Sequence, residues 1–420
     1  MQKIMKRKNS FFTYWIVLWL ILFSGSLFFQ VLNVRLTMII IGLALFIFLL
    51  SGWKIVFKNL LIGLAWCIFI ILNALLTTNY GLDTNSLILQ LFRICICVII
   101  SSNFSFKNYS KAFVNIMVFE SILSIFCFLF QNVLKLGNLP LIEWKQWNSN
   151  SYFLTPYYTA GWLSTGLFDR NAGWFLEPGI HQIFLNLSLF FIISLKPCIS
   201  RKKFWLKFLI LFIAVLTTKS TTGYICLLLV ISFLLLTKDK GKLHFISLKT
   251  FLISAFCIIF ALVIINSSVI TEKFAGMFTG QSSAATRLND TIVGYSLSLT
   301  KPLFGYGLYN TFTNSILNLK GVINISNGFS QLLIGAGIPF GIVYLILIFL
   351  GARKDFNSNI ISALVFLAFI FVCMNTEGGA FELIPYLLFT FPFSKKLRPK
   401  ILLSFDKCYL KSCSICSSHS

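Results

Sequence analysis

Apolar runs of about 20 residues recur along nearly the whole chain, separated for the most part by short polar connections. A bilayer hydrocarbon core of about 30 Å takes about 20 helical residues to cross, so each run reads as a membrane-spanning helix. The runs fall at 11–32, 36–52, 57–76, 87–103, 112–133, 179–195, 204–218, 220–236, 246–266, 327–350, 359–375 and 379–394. They are continuous rather than alternating, which excludes a β-barrel, and a backbone crossing lipid without internal hydrogen bonds is excluded on energetic grounds. The pattern predicts an all-α polytopic membrane protein with about 12 transmembrane helices. The first run is long and soon followed by another, so it reads as a retained helix rather than a cleaved signal peptide, with the mature chain starting at Met1.

Residues 1–420 then form a single membrane domain with two long loops, 134–178 and 267–326, and a polar tail, 395–420. Composition agrees: 57% of residues are hydrophobic, 11% are charged and mean hydropathy is +0.87, leaving no room for a sizeable soluble domain.

The formal net charge of +23 orients the chain. Loops kept in the cytoplasm carry the Lys/Arg excess. Placing both termini inside puts about 25 of the 35 basic residues on the cytoplasmic side and makes the two long loops extracytoplasmic and nearly neutral. The positive charges are spread over short loops and termini rather than gathered on one face, so nucleic acid is not an expected partner. The lipid bilayer is. Of the 11 cysteines, Cys67, Cys95, Cys97, Cys127, Cys226, Cys257 and Cys373 lie within spans, where a thiol packs as a small apolar group. Cys408, Cys413, Cys416 and His419 in the tail have zinc-ligand chemistry but read more simply as a frayed tail.

Candidate chemistry concentrates in the long loops. The first runs through Glu143, Trp144, Trp147, Tyr152, Tyr157, Tyr158 and Trp162 to Asp169 and Arg170. Such aromatic density suits an interfacial belt or a platform for sugar rings. In Arg170-Asn171-Ala172-Gly173-Trp174-Phe175-Leu176-Glu177-Pro178-Gly179, the glycine and proline predict a turn and then a helix opening near Gly179, so that Arg170 and Glu177 can face one pocket; an exposed ion pair is the plainer reading. His181 follows one turn later. The second loop carries Arg287 and then Pro302-Leu303-Phe304-Gly305-Tyr306-Gly307, before Asn327 opens a span with Gly335, Gly337, Pro339 and Gly341. Arg93 and Glu120 fall inside spans, where charge is costly and usually paired, and a pair between adjacent helices is expected. Glu377 and Glu382 flank the last outer turn.

The Arg170-x-x-Gly173-x-Phe175-x-Glu177-Pro178 string resembles the signature of Wzy-type polysaccharide repeat-unit polymerases. Arg287, the Pro302-Leu303-x-Gly305-x-Gly307 turn, Ser326-Asn327 with Gly335-x-Gly337, and the Ser220-Thr221-Thr222-Gly223 turn are similar to features of the O-antigen polymerase and ligase superfamily. The motif resemblance covers roughly residues 160–345, and the topology resembles the C-type glycosyltransferase arrangement. It implies a membrane glycosyltransferase that polymerises undecaprenyl-pyrophosphate-linked oligosaccharide repeat units into O-antigen, capsule or exopolysaccharide at the outer face of the cytoplasmic membrane, beside a flippase and a chain-length regulator. Ligases of the superfamily usually place a histidine near the start of the span after the large loop, and Asn327 stands there in this chain.

Implied catalytic residues are Glu177 as general base and Arg170 and Arg287 as a clamp on the pyrophosphate leaving group. Arg93, His181, Tyr306, Asn327 and Glu377 are implied substrate-binding residues, His181 also offering itself as an alternative base. Without paired carboxylates or an Asp-x-Asp element, no metal and no cofactor is expected. The alternatives are an O-antigen ligase, a lipid-linked oligosaccharide flippase or transporter, and a non-catalytic assembly partner.

Overall fold

The computed structural model describes residues 2–25, 42, 55–78, 83–132, 142–146, 149–154, 157–160, 170–175, 177–236, 283–308, 325, 327–356, 360–378 and 383–393. The span expected over 36–52, Gly42 apart, the span over 246–266, the tail with Cys408, Cys413, Cys416 and His419, and Trp147, Trp162, Asp169, Leu176, Ser326 and Glu382 lie outside these residues.

The first helices are α1 (Gln2–Phe23), α2 (Phe57–Leu76), α3 (Thr84–Asn103) and α4 (Phe106–Asn132). Asp83 caps α3 by accepting from the Asn85 and Ser86 amides, two of the donors that a helix start leaves unsatisfied. After a small sheet come α5 (Pro178–Leu195), α6 (Arg201–Thr217), α7 (Thr221–Leu236), α8 (Ser283–Thr300), α9 (Gly328–Ala336), α10 (Ile338–Asp355), α11 (Ile360–Thr376) and α12 (Ile384–Leu388). Four described helical segments are long and apolar enough to cross a membrane, Phe57–Leu76, Thr84–Asn103, Phe106–Leu129 and Pro178–Cys198.

Helix α5 is the axis of the fold. It is predominantly apolar, and nearly all of its residues, His181, Gln182, Asn186 and Ser188 among them, are buried, against α4, α6, α7 and the sheet. The outer helices do the reverse: Leu61, Leu64 and Ile68 of α2, Phe119, Ile122 and Phe126 of α4, and Leu206 and Leu209 of α6 are exposed. Such a surface would drive aggregation in water and is natural against hydrocarbon, so the chain is an integral membrane protein of helical class. Between the helices, Phe190, Phe366 and Phe369 pack with ring centroids 4.8–5.8 Å apart, one of many aromatic contacts that lock the interior.

Four features correct the sequence pattern. The first long loop contains a four-stranded antiparallel meander, β1 (Ile142–Gln146), β2 (Ser149–Leu154), β3 (Tyr157–Ala160) and β4 (Arg170–Gly173), so the protein is not purely α. Aromatic residues dense enough to suggest a platform are also strong strand formers. Residues 283–300 of the second loop form helix α8. The span expected over 327–350 is two helices: Gly337 adopts φ +89°, and a Cβ there would collide with the Leu303 carbonyl. Pro339 follows in the first turn of α10. The break does not waste its polar groups, because the Tyr306 and Gly307 amides donate to the Ile334 and Gly335 carbonyls at 2.7 and 2.9 Å, and the Ile338 amide donates to Pro302. Asn73 of α2 closes this junction, donating to the Phe304 and Gly335 carbonyls while accepting from the Leu308 amide. Finally, 379–394 does not form a spanning helix among its described residues. Only the five-residue α12 is helical, and Thr390 and the Pro392 carbonyl beyond it are held by Trp66 and Asn59 of α2.

Candidate active site

Strand β4 delivers Arg170 to the start of α5 through a turn built on Asn171. The Asn171 side chain accepts from the Gly173 amide at 3.0 Å, closing an Asx turn, and its amide group donates to Ser124 of α4 and Thr217 of α6. Arg170 Nε donates to the Thr218 carbonyl at 3.2 Å, where α6 ends, orienting the guanidinium plane. Lys219, at φ +48°, begins the reversal into α7, and the Ser220 hydroxyl accepts from the Gly223 amide. The Ser220-Thr221-Thr222-Gly223 turn is thus what holds the Arg170 support in place.

Beneath this turn lies a pair that no local pattern announces. His181 and Glu120 are both fully buried, with Nε2 to Oε2 at 3.0 Å. The Asn171 carbonyl lies 3.3 Å from Nδ1, and a carbonyl can only accept, so Nδ1 carries a proton and the shared proton with Glu120 sits on the other side of the ring. Gly173, at φ +55°, has no room for a Cβ against the Glu120 carboxylate and the His181 ring. The expected pairing of Arg93 with Glu120 is therefore wrong: His181 takes Glu120, while Arg93 donates to Gln90 at 3.1 Å and lies 5.7 Å from the Phe23 ring centroid. His181, with no exposed surface, is not an accessible alternative base.

The opposite wall comes from α8 and α11. Arg287 of α8 donates to the Thr376 carbonyl and forms an ion pair with Glu377 at 3.3 Å, the arginine partly exposed and the carboxylate nearly buried. Glu377 follows directly on α11 and lies against Gly179 in the first turn of α5, where a Cβ would collide with its carboxylate. Burial pushes the Glu377 carboxyl up to about 7 against the lowering influence of Arg287; Glu177 raises it further and Arg170 lowers it. Arg170, Glu177, Arg287 and Glu377 therefore share one electrostatic site. Glu177 itself is exposed at the N-cap of α5, its carbonyl accepting from the His181 amide.

Asn327 belongs to the same wall. Its side chain caps α9 by accepting from the Ser330 amide and donates to Thr291 and Asn375, each at 3.1 Å; Thr291 in turn bonds the Arg287 carbonyl. Tyr295 donates to Asn375 at 2.9 Å. Tyr306 is bound instead to the α9/α10 junction, its hydroxyl on Thr300 and Lys301 Nζ 4.9 Å from its ring centroid. Asn171, Thr218, Tyr295 and Asn375 were not singled out from sequence. Only Asn171 carried a signal, an Asn two residues before a Gly; the others converge from distant segments.

Residues 206–345 match the family model described as O-antigen ligase. The match supports the O-antigen ligase and polymerase superfamily without separating its two activities. It takes in most of α6, then α7 to α9 and the start of α10, including Arg287 and Asn327, and leaves Arg170, Glu177 and Glu377 outside. No curated protein matches the chain.

Proposed function

We propose that this protein is a membrane glycosyltransferase that polymerises undecaprenyl-pyrophosphate-linked repeat units into a surface polysaccharide. The observation that carries the reading is the Arg287–Glu377 pair set against Gly179, with Arg170 and Glu177 within electrostatic reach. Glycosyl transfer from a pyrophosphate carrier needs cations where the leaving group gains charge and a base where the acceptor hydroxyl loses its proton.

In this reading Arg170 and Arg287 hold the pyrophosphate, for which a planar guanidinium fork is better suited than an ammonium. The acceptor hydroxyl oxygen bonds to the anomeric carbon of the donor glycan as the carbon–oxygen bond to pyrophosphate breaks, the bonding electrons leaving with the carrier. The hydroxyl proton passes to a carboxylate. Sequence alone points to Glu177 for that role. What supports Glu377 instead is its burial, its contact with Arg287 and a carboxyl raised to about 7, close to the ideal for a base working near neutrality. Glu177, exposed at the mouth, then binds the acceptor sugar. The site faces outward from the cytoplasmic membrane with both termini inside, and a flippase and a chain-length regulator are its natural partners.

An O-antigen ligase is the second reading, favoured by the description of the matched family. The two part on the acceptor. Purified protein given only its lipid-linked repeat unit makes a ladder if it is a polymerase. A ligase makes no ladder and transfers finished chains to a lipopolysaccharide core. Loss of the ladder in Arg287→Ala and Glu377→Gln, with protein level unchanged, tests the site assignment within either reading.

A further inference from the structure

Helices α4 and α6 lie side by side and run in the same direction: Asn115 of α4 meets Lys207 of α6, and further along both helices Ser124 and Thr217 bond the Asn171 side chain. The Asn171 end holds the Arg170 turn. The other end gathers positive charge. Lys111 lies one turn before Asn115 on α4 and Lys203 one turn before Lys207 on α6, and both lysines act on the Lys207 charge. Lys207 is half-buried and cannot swing clear, because its ammonium donates to the Asn115 side-chain oxygen while the Asn115 amide group donates to the Tyr14 hydroxyl of α1. Like charges one turn apart on a helix repel, and a charge held partly out of water calls for a counter-charge. Among the described residues none is supplied: no carboxylate pairs with Lys111, Lys203 or Lys207, and neither helix has an acidic residue in its first turn.

We propose that Lys111, Lys203 and Lys207 bind the headgroup phosphate of an anionic phospholipid. The site is remote from the Arg170 turn: Lys207 and Thr218, whose carbonyl holds Arg170, are eleven positions apart on α6, about 16 Å at about 1.5 Å per residue. An ammonium has three donors, and Lys207 uses one on Asn115, leaving two for phosphate oxygens. The surroundings select a lipid over a free anion. Trp205, Leu206 and Leu209 are exposed on α6 beside the lysines, so the anion sits at the edge of a surface suited to hydrocarbon, with a tryptophan at headgroup depth. Basic groups clustered at a membrane surface attract acidic lipids. A phosphate bridging the two helices relieves the repulsion among the lysines and, through Asn115 and Tyr14, ties α1 to α4 and α6. The proposal does not depend on which transfer reaction the Arg170 site performs.

Two measurements test this. Purified protein in a neutral detergent is titrated with phosphatidylglycerol or phosphatidylcholine, and bound lipid is counted by native mass spectrometry. Phosphatidylglycerol should bind and phosphatidylcholine should not displace it. Lys111→Gln and Lys203→Gln, both at exposed side chains, should each weaken binding about fivefold and together about 30-fold. Lys58→Gln and Arg353→Gln, at exposed basic residues elsewhere, should leave it unchanged. The second measurement is the thermal midpoint, which phosphatidylglycerol should raise in the wild type and not in the double variant, whose midpoint in phosphatidylcholine should match the wild type. Equal binding of the two lipids, equal weakening in the Lys58 and Arg353 variants, or unchanged affinity in the double variant would overturn the proposal. Displacement of phosphatidylglycerol by inorganic phosphate at equal concentration would make the cluster a site for a free anion and would end the lipid assignment.

Discussion

Gly179 lies so close to Glu377 that a methyl group on its α-carbon would collide with the carboxylate. The first turn of α5 and the end of α11 are thereby brought together at the position where Arg287 meets the same carboxylate. A glycine at the second position of a buried helix gains little in propensity and loses packing area, so its use here is to admit the Glu377 side chain.

Gly179→Ala should therefore displace Glu377 and lower transfer about 100-fold, since misplacing a reacting group by about 1 Å costs that much. The protein should still reach the membrane at normal level. Activity within a factor of a few of wild type, measured on purified protein in vesicles, would mean that Glu377 can work from elsewhere or does not take part.

The pH profile follows from the direction of the Glu377 shift. Burial raises the carboxyl to about 7, so below that pH the group holds a proton and cannot accept another. Turnover should climb about tenfold per pH unit on the acid side and level off above about 7. Arg287 lowers this carboxyl, so Arg287→Ala should shift the acid limb toward alkaline pH as well as depress the plateau. A wild-type profile flat from pH 5.5 to 8 would contradict Glu377 as base.

Arg170 and Arg287 should not tolerate replacement. Alanine at either position should lower transfer about 100- to 1,000-fold, the usual cost of removing one donor from a developing negative charge. Lysine should rescue poorly, because it supplies a point charge without the fork. Wild-type polymer from either alanine variant, quantified by gel, would remove that arginine from the pyrophosphate clamp.

The Glu120–His181 pair makes a different kind of prediction, one of stability. His181→Ala leaves the fully buried Glu120 without the imidazole that now shares a proton with it, and breaking a buried pair costs about 3–5 kcal/mol. The thermal midpoint of purified His181→Ala in detergent should drop sharply, and adding Glu120→Gln should recover part of the loss. Gly173→Ala should behave like His181→Ala, since its Cβ would strike the same two side chains at a positive φ that alanine rarely adopts. A midpoint unchanged in both single variants would show that the pair does not hold the Arg170 turn.

Much of this arrangement was legible from sequence wherever the signal was local. The apolar runs announce helices, and Gly173 with Pro178 announces a turn followed by α5, observed at Pro178–Leu195. Arg170, Glu177, Arg287 and Glu377 could be singled out because charged residues are rare in so apolar a chain. How they combine was not legible, since Arg287 and Glu377 are 90 positions apart and Glu120 and His181 are 61 apart. Two buried charges, Arg93 and Glu120, invite pairing on sequence grounds. The buried histidine, uncharged in a simple count, outcompetes the arginine because α4 and α5 are direct neighbours. The break at Gly337 escaped for a related reason: hydropathy runs straight through it, and only the docking of Tyr306 and Gly307 onto the freed carbonyls makes two helices more stable than one.

The most direct measurement is reconstitution of the purified protein in vesicles with its labelled undecaprenyl-pyrophosphate repeat unit as sole substrate, followed by gel separation of the glycans. The account predicts a ladder of repeat-unit lengths that disappears in Arg287→Ala and Glu377→Gln. A single unextended band, with the labelled unit moving across the vesicle membrane instead, would contradict it and make these residues part of a transport site.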